Sequence, residues 1–262
     1  MNDRITISIE DHVAQVRMIR TDKINAIDLA MFEALVDAAR QLGEMRGVRA
    51  VVLSGAGRGF CVGIDTDALT SIPALKDLLP RTHGAANLFQ AAVWTWRQLP
   101  IPVIAAVHGF AFGGGFQLML GADMRVIAPD AKLSLMEAKY ALIPDMAGIG
   151  LLRNLVRDDI ARDLIFTGRI LTGTEGERLG LATRLAEDPL AEATAMAQAI
   201  ARNSPRQLAV AKRLINRAAD DALTADALLL AEAELQMPLI AGDDHSEAVA
   251  AAREKRLPAY RD

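Results

Sequence analysis

A single cysteine, Cys61, occurs among 262 residues. That excludes an intramolecular disulfide framework and any thiolate-only metal cluster, and it fits a reducing compartment. Histidine is scarce too. The four histidines at positions 12, 83, 108 and 245 show no paired spacing and no histidine–glutamate helix motif, so no metal site is expected. Basic residues do not cluster: 29 Lys and Arg face 33 Asp and Glu, a net charge of −4. This leaves no electrostatic footprint for nucleic acid or an anionic membrane. No apolar run approaches the roughly 20 residues that span a bilayer; even Ile101 to Val107 contains Pro102 and stops at His108. The opening MNDRITISIEDHVAQV alternates polar and apolar residues, unlike a charged stub joined to an apolar core. No secretory signal is read there, and the expected location is cytoplasmic.

Hydrophobic residues make up 52% of the chain. At about 100–200 residues per domain, the length suits one large domain or two small ones. Ile5, Ile7 and Ile9 alternate along one face, and the apolar pattern resumes from Val13 to Ile19 after Glu10-Asp11-His12, which predicts a β-hairpin. Asp28 precedes Leu29, Phe32, Leu35, Val36, Ala39 and Leu42 at helical spacing, which predicts a helix over 29–42. Ala50 to Leu53 reads as a buried strand entering the glycine-rich segment 54–59. The order then repeats: a helix over 85–98, a strand Val103 to Val107, a second glycine-rich turn from Gly109 to Gly115, and a short helix Phe116 to Leu120. Further strands are expected at 125–127 and 132–135. Beyond Pro144 strand signals nearly vanish, and helical periods cover 191–201, 207–218, 225–235 and 246–255. The predicted class is α/β, with ββα units stacked as a spiral over 1–200 and a helical region over 201–262. The Ala-rich faces of that region suit packing on the core, on a neighbouring subunit, or on both.

Two strands thus end in glycine-rich turns, and the second turn opens directly into a helix. Backbone N–H groups in such a turn can approach a ligand closely, and a helix start has orphan donors at its positive dipole end. Two converging amides would polarise a carbonyl oxygen. The alternative is that the glycines only make tight turns or close helix–strand contacts. Neither loop is a phosphate loop of the Gly-Lys-Ser/Thr kind, and Gly55-Ala56-Gly57-Arg58-Gly59 lacks the third glycine of the dinucleotide fingerprint.

Four segments occur in the order and spacing of the crotonase superfamily, the enoyl-CoA hydratases and isomerases. They are Asp22-Lys23-Ile24-Asn25-Ala26, Arg58-Gly59-Phe60-Cys61-Val62-Gly63-Ile64-Asp65, Ala106-Val107-His108-Gly109-Phe110-Ala111-Phe112-Gly113-Gly114-Gly115, and Gly121-Ala122-Asp123. The closing Glu254-Lys255-Arg256-Leu257-Pro258-Ala259-Tyr260 resembles that family's C-terminal signature, so the similarity covers nearly the whole chain. The resemblance implies a ββα spiral with a C-terminal helical region that mediates trimerisation, commonly as a dimer of trimers. It also implies stabilisation of an enolate formed from an acyl-CoA thioester, with coenzyme A arriving in the substrate and no separate cofactor. Carried over by motif, the oxyanion hole is the N–H of Ile64, after Gly63, and the N–H of Gly114, after Gly113.

The same resemblance identifies the acid/base positions. Typical hydratases place one glutamate three residues beyond the second hole glycine and another about twenty residues later; here those positions hold Gln117 and Glu137. A carboxamide cannot take a proton from water, so isomerisation through Glu137 alone is expected ahead of hydration, with Gln117 orienting the ligand. Asp145 matches the Glu-to-Asp spacing of the dienoyl-CoA isomerase branch; alternatively, following Pro144, it caps a helix from about 146. The nucleotide is expected on Lys23, Asn25 and Ala26, on Arg58, and on Lys255 or Arg256, with Asp65 beside the first loop. Segment 65–88 would bind the acyl group, with Leu69, Ile72, Leu75, Leu78, Leu79, Leu88, Phe89 and Trp94 as lining candidates. Cys61 reads as a small buried hydrophobe in preference to a nucleophile, having no base nearby in sequence. The competing functions are thioester hydrolysis on the same fold and a non-catalytic paralogue that binds acyl-CoA or RNA.

Overall fold

The structure, a computed structural model, describes residues 3–67, 77–219 and 223–261. Strands β1 (Ile5–Glu10) and β2 (Val13–Met18) pair antiparallel from Ile5↔Met18 to Glu10↔Val13. Their link, Asp11 and His12, has φ of 45° and 68°, the two positive angles that a tight two-residue hairpin needs. Helix α1 (Leu29–Glu44) starts where the Asp28 carboxylate accepts the Met31 N–H at 2.9 Å. Strand β3 (Ala50–Gly55) follows, then α2 (Leu88–Gln98), which opens on a reciprocal Asn87–Gln90 capping box. Next come β4 (Val103–Val107), β5 (Phe110–Phe112), α3 (Gly114–Gly121), β6 (Met124–Ile127), β7 (Lys132–Ser134) and a 3₁₀ turn Met136–Tyr140. Helices α4 (Gly148–Leu152) and α5 (Asp158–Thr167), strand β8 (Leu171–Thr172), helix α6 (Gly173–Leu179) and strand β9 (Arg184–Leu185) complete the first part. Four helices close the chain: α7 (Pro189–Ala201), α8 (Pro205–Ala218), α9 (Ala225–Ile240) and α10 (Asp243–Glu254).

Six strands form one sheet in the order β1-β2-β3-β4-β6-β9, and β5-β7-β8 form a second. Beyond the antiparallel hairpin, every pair in the large sheet is parallel. The smaller sheet holds β5, which lies inside what the sequence suggested was only a glycine turn. Two-residue strands β8 and β9 also extend the sheets beyond Pro144, where strand signals had run out. The expected repeat is otherwise present: each unit gives one strand to the large sheet, then a shorter one or a single bridge, such as Cys61↔Ala111, and then a helix.

The sheet is buried on both faces, as parallel sheets are. Val51, Leu53, Val103, Ala105 and Val107 face the main core with α1, α2 and α3, where Phe32 and Phe89 meet edge to face at 4.9 Å. The alternate residues Ala50, Val52, Ile104 and Ala106 pack against Ala193, Ala197 and Ala201 of α7, whose small side chains let the helix lie close. Helix α8 is bolted to this body by one buried cation. Lys212 Nζ donates to the carbonyls of Trp96 (3.0 Å) and Ile101 (2.9 Å) and pairs with Asp123 at 2.6 Å. No described helix is long and apolar enough to cross a membrane.

Candidate active site

Neighbouring strands β3 and β4 both run into glycine-rich loops at their C-terminal ends, where open parallel sheets hold ligands. The loops interlock. Cys61 N–H donates to Phe110 O (2.9 Å) and Phe112 N–H to Cys61 O (3.0 Å). Further on, Ile27 N–H donates to Gly63 O (2.8 Å) and Asp65 N–H to Ile27 O (2.9 Å). In parallel pairing, the residue between two such bonds turns its own N–H the other way, so Ile64 N–H points away from Ile27. Gly63 has φ 93°, and a Cβ there would meet Phe112 O at 2.7 Å and Gly114 N at 3.2 Å. The first loop therefore lies directly against the start of α3.

Gly113, at φ 49° and ψ −120°, makes the glycine-only turn from β5 into α3. Its own N–H is taken by Ser134 O at 2.9 Å, which leaves Gly114 N–H as an orphan donor of the helix. Neither Ile64 N–H nor Gly114 N–H has a protein partner among the described residues. Both residues, with Gly63 and Gly113, line a cavity of about 270 Å³.

Glu137 lines the same cavity from the 3₁₀ turn; a Cβ on Gly113 would sit 3.5 Å from its Oε1. That oxygen accepts Gln117 Nε2–H at 2.6 Å. The other, Oε2, is buried with no hydrogen-bond partner. Burial raises the Glu137 carboxyl above its ordinary value and the nearby Asp145 charge adds to the rise, while its own backbone N–H and then the Gln117 bond pull part of it back. Gln117, 1% exposed, uses its carbonyl oxygen on the backbone N–H groups of Met146 (2.8 Å) and Gly148 (3.1 Å). These bonds fix which way its carboxamide points. Asp145 is not a helix cap: α4 begins at Gly148 with Ala147 at the N-cap. It is half-buried and its carboxyl is likewise raised by burial, but it does not line the cavity. Two free N–H donors on the same cavity as a carboxylate with one unpartnered oxygen can hold a developing oxyanion while a proton moves.

The expected binding residues divide. Lys23, Ala26 and Asp65 line the cavity. Lys23 pairs with Asp67 at 3.6 Å. Asp65 is held by Arg20 at 2.7 Å and accepts Asp67 N–H; burial raises its carboxyl, but the Asp67 and Arg20 bonds win and hold it below the ordinary value. Asn25 lies behind the wall. It is fully buried, and its Nδ2 reaches the carbonyls of Ala56, Gly59 and Phe60 at 2.9–3.1 Å, so it braces the first loop and cannot meet a nucleotide. Arg58 is exposed and outside the cavity wall. Lys255 also lies away from it, because the tail after α10 returns to Arg49, whose Nη2 donates to Tyr260 O at 2.9 Å. Arg49 precedes β3, at the strand end opposite the cavity.

Of the acyl-pocket candidates, Leu69, Ile72 and Leu75 lie outside the described residues. Phe89 is core, with Leu78, Leu88 and Trp94 packed against that core, and Leu79 is exposed. The cavity is lined instead by Val62, Met136, Tyr140 and Leu142. Tyr140 was missed: residues three apart share a face of a 3₁₀ turn, which sets it beside Glu137, but no such turn was expected there. Cys61 is buried, and burial pushes its thiol up to about 12, as suits an inert side chain.

A family description, enoyl-CoA hydratase/isomerase, matches residues 8–262. The chain is 32% identical over 263 residues to "Probable enoyl-CoA hydratase echA8" of Mycobacterium bovis, covering 98% of each protein. It is 32% identical over 254 residues to enoyl-CoA hydratase EchA19 of Mycobacterium tuberculosis, covering 95% of this chain and 93% of that one. The crystal structure of enoyl-CoA hydratase from Bacillus anthracis matches with a TM-score of 0.90 at 30% identity, over 98% of this chain and 99% of that one. Sequence and fold thus agree over almost every residue, and the chain belongs to the enoyl-CoA hydratase/isomerase family, with the crotonase fold.

Proposed function

We propose that this protein moves a double bond along an acyl-CoA thioester, isomerisation being favoured over hydration. Gln117 carries the reading: its oxygen is occupied by two backbone donors and its nitrogen can only donate, so it cannot activate water. Glu137 Oε2 takes a proton from C2 of a 3-enoyl thioester. The freed electron pair moves onto the thioester oxygen, held by the N–H groups of Ile64 and Gly114. Return of the proton to C4 sends the electrons back and leaves the 2-enoyl thioester, so atoms and charge balance. Asp145, off the cavity wall, acts on Glu137 through its charge and is a second acid/base group only for a longer conjugated chain that reaches past that wall. Lys23 meets the nucleotide end of coenzyme A, which enters only as part of the substrate. The chain works in the cytoplasm; its assembly as a homotrimer or dimer of trimers is supported by the exposed Leu229, Leu230, Met237 and Ile240 on α9.

Mass spectrometry of 2-enoyl-CoA and 3-enoyl-CoA after incubation in heavy-oxygen water tests the reaction. A migrated double bond at unchanged mass is expected from the 3-enoyl substrate. Gain of one labelled water by the 2-enoyl substrate would overturn the preference for isomerisation, and labelled free acid with released CoA would assign thioester hydrolysis.

A further inference from the structure

Gln117 ties together two parts of the site that the backbone does not join. Through Nε2 it holds one oxygen of Glu137, on the 3₁₀ turn; through Oε1 it holds the backbone N–H groups of Met146 and Gly148, on the far side of Asp145. It is buried, so water does not compete for these bonds. We propose that Gln117 is a positioning residue that selects Oε2 of Glu137 as the oxygen that moves the proton and fixes the Asp145 segment relative to that carboxylate. The inference rests on the reading of Glu137 as the base.

Three observations support it. Glu137 Oε1 is committed at 2.6 Å while Oε2 is buried and unpartnered, so only one oxygen is left for a substrate. Both Gln117 Oε1 bonds land within three residues of Asp145, whose charge reaches Glu137. Gly148 packs against the carboxamide so tightly that a Cβ would stand 2.5 Å from Gln117 Oε1 and 2.8 Å from its Cδ. Among the described residues, the other charged groups around Glu137 are paired or exposed. Lys23 and Asp65 on the cavity wall are paired with Asp67 and Arg20. Near α5, packed against the 3₁₀ turn, Arg162 pairs with Asp158 and Arg169 with Asp163 and Glu175. Lys139 and Tyr140 are exposed on the turn itself.

The test measures kcat, KM and the pH profile of double-bond migration in Gln117→Glu and Gly148→Ala. Gln117→Glu keeps the oxygen that Met146 and Gly148 need, but sets a second carboxyl where Glu137 had its donor. Gly148→Ala changes no polar group and pushes the carboxamide from behind, at a backbone angle that alanine adopts. Both variants should fold and keep KM within about twofold, while kcat falls by about tenfold or more, since ångström-scale misplacement alone can cost about 10²-fold. The acid limb of the profile should move to higher pH in both, because Glu137 loses its stabilising donor and in Gln117→Glu also gains a like charge beside it. Wild-type kcat and an unmoved acid limb in either folded variant would overturn the proposal. Loss of the base assignment shows itself separately, as turnover retained by Glu137→Gln.

Discussion

A carboxyl that burial makes harder to ionise leaves a mark on stability as well as on rate. Because the folded-state value of Glu137 lies above its unfolded one, the native state binds the proton more tightly. Stability is therefore lost as pH rises from about 4.3 through the folded value, and the loss persists above it. Glu137→Gln should abolish turnover, leave affinity for a CoA ligand nearly intact, and melt at a higher temperature than wild type at pH 7. That advantage should vanish near pH 4. Thermal melts at the two pH values, with a ligand titration, check this; unchanged turnover would remove Glu137 from its role. At this scale, motif register pointed to Ile64, Gly114, Gln117 and Glu137, which the structure brings together at one cavity or directly behind its carboxylate. It misplaced Asn25 because a spacing pattern shows where a side chain sits in the chain and not which way it faces: the amide turns inward to three carbonyls.

Between elements, the approach of α3 to the first loop decides whether two N–H groups converge. A Cβ on Gly115 would collide with Cys61 O, so even alanine must push the helix start off the loop that presents Ile64. Gly115→Ala is expected to lower kcat by about 10²-fold or more, the scale of losing one oxyanion donor, and to cost about 1–3 kcal/mol of stability as an overpacked contact. Steady-state kinetics with chemical denaturation reads both; full activity would mean that the hole tolerates a wider gap. Long elements were legible because their apolar period was long enough to see. Strands β5, β8 and β9, of two or three residues, were not: so short a segment has no period, and pairing with an existing edge makes it a strand.

For the whole molecule, the helical end is neither a separate layer nor fully covered. Helix α7 closes the sheet and Lys212 anchors α8, yet Leu230 and Met237 of α9 stand 59% and 71% exposed and, seven residues apart, share one helix face. If that face meets other subunits, Leu230→Glu with Met237→Glu should convert a trimer or larger species in sedimentation analysis into monomer. An unchanged sedimentation coefficient would place the subunit contacts elsewhere. No sequence pattern could assign Lys212 its anchoring place, because its partners at Trp96, Ile101 and Asp123 lie about 90 residues or more away in the chain and meet it only in the folded state.

On the proposed mechanism, the groups that face the substrate oxygen are main-chain N–H groups, present whatever side chain occupies position 64. Substitution at 117, 137 or 145 can then redirect the reaction while the oxygen keeps the same two donors. Evolution and the protein engineer would share that latitude: the reaction would be chosen by the side chains around the carboxylate, while recognition of the thioester would be inherited with the shape of the backbone.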